Sequence, residues 1–180
     1  MIFMSYLSLD FSEIFINFFV SLIASTVFVI FILRILRPKI EISDKISVGK
    51  EDDNTYYAFK IVNKSIFDAY SFSVVLHRRD PSIVNNSNVN HNLKEIKVNK
   101  ITVKSLPRYK KDKGYGDHAF QLRTFEDLSK DIDDDNLDYV LSVSVKHGLS
   151  NLTKVTQQYF LNSKVFHDGK FKFGSDTGIC

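Results

Sequence analysis

The 180-residue chain has a single cysteine, Cys180 at its last position, which excludes an internal disulfide framework and fits a reducing compartment. No Lys or Arg occurs before Arg34, and the leading end carries Asp10 and Glu13 instead. A secretory signal with its basic n-region is therefore excluded. Glycine-rich phosphate loops, H-E-x-x-H, C-x-x-C and G-x-S-x-G are all missing. His77, His91, His118, His147 and His167 form no metal-spaced pair. The acidic run DIDDDNLD opens like a calcium loop at Asp131, Asp133 and Asp135. It then places Asn136 where the turn glycine belongs and Ser142 where a bidentate Glu is needed. No internal repeat and no Pro/Gly/Ser-rich linker divides the chain. These absences argue against an enzyme.

What is present begins with 20 residues free of charge, Ile14 to Leu33, followed at once by Arg34, Arg37 and Lys39. At ~1.5 Å per residue this run covers roughly 30 Å, the hydrocarbon thickness of a bilayer. Asp10 and Glu13 read as a capping box opening a helix, and Pro38 marks where it must have ended. Residues 1–38 are thus expected to be a retained transmembrane helix with its lead-in. Positive charge lies wholly after the helix, which predicts an amino end outside the inner membrane and a cytosolic remainder. N-glycosylation sequons at Asn63 and Asn151 would matter only in an extracytoplasmic domain.

The remainder, about 140 residues, is long enough to bury one core. Setting aside three of the 24 basic and two of the 21 acidic residues leaves it a net charge of +2, so any anion site must be a local patch. Period-2 alternation dominates. It places Ile40, Ile42, Ile46 and Val48 on one parity, then Tyr57, Phe59 and Ile61, then Tyr70, Phe72, Val74 and Leu76. Further runs carry Phe120 and Leu122, and Tyr139, Leu141, Val143 and Val145. Between Val98 and Ile101 the parity changes, by a bulge or between two short strands. HDGK, with Asp168-Gly169, suggests a hairpin into FKF. Eight or so short strands with one brief helical stretch, around FEDLSKDIDD, predict an antiparallel β-sandwich of immunoglobulin-like type over 39–174. Residues 175–180 carry no packing signal and are expected to be a flexible tail.

Two constellations bear on function. At 100° per residue, Asn17, Ser21, Ala24 and Phe28 fall within about 60° of one another, with Ser25 beside them. Such a stripe gains nothing from lipid and implies another helix or water, hence a homo-oligomer. It reads as a packing seam between anchors, or as the lining of a path with Phe28 as an apolar constriction. The second is the loop SLPRYKKDKGYGDH, where Arg108, Lys110, Lys111 and Lys113 alternate with Tyr109 and Tyr115, while Arg78 and Arg79 end a strand elsewhere. Cations for phosphates and aromatic faces for bases suit an oligonucleotide. The same residues also fit a solvated loop or one lying against anionic headgroups.

One membrane helix running through RILRPKIEI into a sandwich whose second and third strands are AFKIVNKSIFDAYSFSVVL resembles the small membrane effectors of bacterial antiphage defence. In layout across the whole chain it is most similar to the channel-forming effector of the Hailong system. That resemblance implies a tetramer controlled by nucleotide-derived single-stranded DNA from a companion nucleotidyltransferase, and membrane depolarisation as the outcome. The rival expectation is a membrane-anchored sandwich that binds a protein partner, its helix only a tether. A tether tolerates any apolar sequence of the same length; a pore does not.

Overall fold

The computed structural model describes residues 11–84, 88–99, 102–111, 114, 116–128, 138–161 and 163–180. Asp10, Ile101, Lys113, Tyr115 and the DIDDDN run therefore lie outside the described residues, as does most of the brief helical stretch expected after Phe125. The chain divides into two units after Arg37.

Among the described residues the first unit holds one helix, α1 (Phe11–Ile35). Its 25 residues extend about 37 Å at ~1.5 Å per residue, long and apolar enough to cross a membrane. None of them is buried. Outside the narrow face of Asn17, Ser21, Ala24 and Ser25, the helix presents apolar side chains all round. Within it, the Thr26 hydroxyl donates to the Leu22 carbonyl at 2.8 Å, so this polar group is satisfied internally.

The second unit is a β-sandwich of two five-stranded sheets. The first contains β1 (Ile40–Ile42), β2 (Ile46–Glu51), β3 (Asn54–Asn63), β7 (Ala119–Thr124) and β10 (Phe166–Asp168). The second contains β4 (Ala69–Val84), β5 (Asn88–Ile96), β6 (Thr102–Leu106), β8 (Asp138–His147) and β9 (Thr153–Phe160). Where only one face meets the core, alternation decides which side chains enter it. Ile46, Phe59, Ile61 and Leu122 come from one sheet, and Phe72, Val74, Leu76, Leu141 and Val143 from the other. Phe59 meets Phe160 edge to face across the gap, ring centroids 5.5 Å apart. The parity change after Val98 is a change of strand: β5 and β6 each pair with β4.

Three expectations are corrected. Tyr70 is not in the core with Phe72. A register shift between Tyr70 and Ser73, with Ser71 in the left-handed region (φ 51°), turns Tyr70 outward and Ala69 inward. The extra residue moves one member of the alternating set to the other face.

HDGK is not a hairpin turn. β10 pairs in parallel with β2, and Gly169, at φ 122°, swings the chain back across the outer face of the first sheet. A Cβ there would come within 2.2 Å of the Cys180 carbonyl oxygen, so only glycine fits.

The third correction concerns the tail, which packs. Lys170 and Cys180 exchange backbone hydrogen bonds, and Lys172 N–H donates to the Gly178 carbonyl. Ile179 lies against Tyr56, Ala58 and Phe171. The buried Lys60 side chain donates to the carbonyls of Lys172 and, at 2.7 Å, of Asp176. Residues 169–180 thus form a strap over β3, the strand they cover from outside.

Candidate functional site

One end of the sandwich gathers three connections: 64–68 between β3 and β4, 107–118 between β6 and β7, and 148–152 between β8 and β9. Asn63, at the end of β3, organises them. Its amide nitrogen donates to the carbonyls of Phe67 (3.2 Å), Leu106 (3.2 Å) and Pro107 (2.9 Å), and its oxygen accepts from Ser65 N–H at 2.9 Å. A fully buried amide with four partners is structural, and no glycan could reach it. The sequon at Asn63 is therefore a coincidence of a structural Asn and Ser65.

Ser65 extends the network. Its carbonyl accepts from Tyr109 N–H at 2.9 Å, and its hydroxyl accepts from Lys39 N–H at 2.8 Å. Lys64 N–H in turn donates to the Lys39 carbonyl at 2.7 Å. The point where the chain enters the sandwich is thus hydrogen-bonded to the connection that positions the basic loop.

Between the three connections lies a hollow of about 490 Å³ walled by Phe67, Asp68, Tyr70, Pro107, Arg108, Lys110, Gly148 and Leu149. Asp68 ties two walls together: its carboxylate accepts from Arg108 N–H at 2.8 Å and its carbonyl from Gly148 N–H at 2.9 Å. A Cβ on Gly148 would come within 2.6 Å of that carbonyl and 2.7 Å of the Tyr70 ring, so the approach requires glycine. The exposed cations Arg108, Lys110 and Lys111 follow one another along the same loop, and Tyr70 offers an exposed ring. The hollow therefore combines positive charge with aromatic faces, which suits a ligand that carries both phosphate and base.

The other expected residues divide. Tyr109 is half-buried, edge-on to His118 at 5.2 Å with the Lys64 ammonium 5.4 Å over its ring, so its faces are largely engaged. Lys113 and Tyr115 lie outside the described residues. Arg78 and Arg79 are not brought to the loop. They sit eight and nine residues along β4 from Tyr70, about 26–30 Å at ~3.3 Å per residue. Arg78 forms a forked pair with Asp80, at 2.7 and 2.9 Å. Arg79 lies 3.8 Å from Asp138 and stacks over Tyr159. Charges already matched by carboxylates make poor anion ligands.

Burial pushes the His118 imidazole below its ordinary pKa, with Lys64 and Lys60 adding repulsion, and burial alone does the same for His147. Both rings behind the loops are therefore neutral at neutral pH. On α1, Asn17, Ser21, Ala24, Ser25 and Phe28 are all exposed. Lys39, Asn63, Ser65, Asp68 and Tyr70 were not anticipated as parts of a site. A polar side chain in an otherwise apolar strand end, as in KIVNKS, was the one signal available for Asn63.

No family model matches the chain, and no curated protein matches it. Among solved structures it is similar to Spo0M, a sporulation control protein from Bacillus subtilis, with 12% identity and a TM-score of 0.39. That match covers 69% of this chain and 49% of the other, so the chain spans about half the length of Spo0M. A structural-genomics target, SoR45, matches at 9% identity and TM-score 0.34, over 75% of this chain and 94% of its own. A protein from Archaeoglobus fulgidus matches at 10% identity and TM-score 0.25, over 68% and 94%.

Proposed function

We propose that this protein is an oligomeric membrane channel effector of bacterial antiphage defence, gated through its β-sandwich by a nucleotide or single-stranded DNA ligand. What supports the reading is that a short connection joins two features. A wholly uncovered helix bears a stripe of Asn17, Ser21 and Ala24, and the sandwich anchors its own entry, Lys39, to the loop bearing Arg108 and Lys110. Small and polar residues on one helix face favour close packing between copies, a tetramer in the family it resembles. Charge after the helix favours the inner membrane, amino end out and sandwich cytosolic.

Gating needs differential affinity: swinging a population from 1:99 to 99:1 takes about 5.5 kcal/mol. A multivalent anion contacting every subunit supplies this by repetition, because each phosphate contact recurs around the ring.

The test is conductance of the purified protein in planar bilayers, with depolarisation of expressing cells as its counterpart. Replacing Ile14 to Leu33 by a plain Leu/Ala helix should abolish both while leaving the protein in the membrane. Equal depolarisation by that variant would reduce the helix to a tether and favour an anchored interaction module. Changing Arg108, Lys110 and Lys111 to Ala should weaken oligodeoxynucleotide binding and flatten its salt dependence.

A further inference from the structure

We infer that the loop end of the sandwich docks on an anionic lipid surface, with Ile66 and Leu149 as its apolar contacts and Arg108, Lys110, Lys111 and Lys146 as its cations. Ile66 and Leu149 are 61% and 66% exposed, at the tips of two different connections, and Tyr70, which walls the hollow with Leu149, is 43% exposed. Large aliphatic side chains at loop tips, ringed by flexible cations, match a headgroup layer with acyl chains beneath it. Lys146 pairs across the sheet with Tyr70, so its exposed side chain stands on the same outer surface. Of the carboxylates nearby, Glu41 is matched by Lys64 at 3.4 Å and Asp68 accepts from the Arg108 amide. Among the described residues of the 107–118 connection, Asp117 is the one exposed carboxylate, against the cations Arg108, Lys110 and Lys111.

Chain length supplies the independent argument for a lipid occupant. Lys39 belongs to this end of the sandwich through its bonds to Ser65 and Lys64. Only Leu36 to Pro38 separate it from the end of α1 at Ile35, a reach of at most about 14 Å. A helix of some 37 Å exceeds a ~30 Å hydrocarbon core, so its end falls in the headgroup zone. With α1 across the bilayer, the basic, apolar-tipped end cannot move farther from the headgroups than that tether allows.

The lipid contact stands whether or not a ligand gates the protein. One consequence does rest on the proposed gating: an oligonucleotide held by Arg108 and Lys110 would compete with lipid headgroups for the same cations and lift the loops from the membrane.

The chain contains no tryptophan, so a single introduced indole reports its own surroundings. Leu149→Trp is placed in the full-length protein in nanodiscs with a tryptophan-free scaffold, made of phosphatidylcholine alone or mixed with phosphatidylglycerol, with brominated acyl chains as quencher. Leu93→Trp is the reference. Leu93 is 60% exposed and pairs with Arg79, at the far end of β4.

In anionic discs the reporter at position 149 should be blue-shifted and quenched, and the one at 93 should not. High salt, or Arg108→Gln with Lys110→Gln and Lys111→Gln, should remove most of the difference. Matching emission and quenching at the two positions in anionic discs would overturn the proposal. If position 149 were unquenched there but answered to added oligothymidylate, the face would be a nucleic-acid site, and the lipid contact would fall while the gating reading survived. Quenching without any response to oligothymidylate would uphold the lipid contact and count against ligand binding at this hollow.

Discussion

Helix α1 and strand β3 invert the usual relation between hydrophobicity and cover. In α1 most of the 25 residues are apolar and none is buried. In β3, eight consecutive residues from Tyr56 to Asn63 are buried, and two of them are the polar Lys60 and Asn63. The strand lies between the second sheet on its inner side and the strap on its outer side, so both faces are covered by protein. The helix exposes far more continuous apolar surface than a soluble monomer leaves to water, and it is long and apolar enough to cross a membrane. Burial in this chain follows what is laid over an element, not how apolar the element is.

The sharpest way to break that contrast is to truncate one phenylalanine in each region. Phe59→Ala should cost about 3–5 kcal/mol of unfolding free energy, the usual range for a fully buried ring whose site cannot collapse. Phe28→Ala, on the 63%-exposed helix position, should leave the unfolding midpoint of the sandwich where it is. Denaturant titration in mild detergent compares them. A sandwich equally weakened by both changes would mean that the two units do not unfold separately.

A smaller effect is expected on the outer face of β3. Lys60→Met keeps the length of the side chain and removes its donation to Lys172 and Asp176, at a cost of about 1.5–3 kcal/mol for hydrogen bonds of a charged donor. Burial lowers the Lys60 pKa, which reduces the net loss. The local signature is hydrogen exchange at the amides of Lys172 and Cys180, which should quicken while that of Phe59 stays protected. Unchanged exchange at the strap would show that Lys60 does not hold it.

The smallest effect is that of pH. His118 and His147 titrate below the ordinary value of 6.5 in the folded protein. As pH falls through that value the unfolded chain takes up protons first, so stability declines until the lowered folded values are reached. The melting temperature of the sandwich should therefore drop between about pH 7.5 and 5.5, and His147→Asn should make the drop shallower. An identical pH profile in the variant would remove His147 from the account.

The contrast also explains what could be read from the sequence. Tyr57, Phe59 and Ile61, or Leu141, Val143 and Val145, were legible because a sheet with one core face imposes a period of two. Tyr70 was not, since the bulge at Ser71 breaks the period without a glycine to announce it. The outer cover of β3 was hidden for another reason. The strap is held largely through backbone carbonyls that accept from Ser43, Ser47, Lys60 and Lys64, and an acceptor carbonyl leaves no trace in residue identity. Arg108 and Lys110 stood out as charge in a loop. The distance of Arg78 and Arg79 from them did not, because it depends on β4 running for 16 residues without a turn.

The parallel pairing of β2 with β10 sets a timetable. Ile46 to Val48 wait for Phe166 to Asp168, about 120 residues later in synthesis, before that edge of the sheet is closed. Until then a nascent chain already bearing a membrane-length helix presents an open strand edge beside an uncovered Tyr56 and Ala58. At that stage the open β2 edge can pair with any extended strand it meets, the same edge of a second unfinished chain included. The order of synthesis therefore leaves the β2 edge as the last part of the first sheet to be closed.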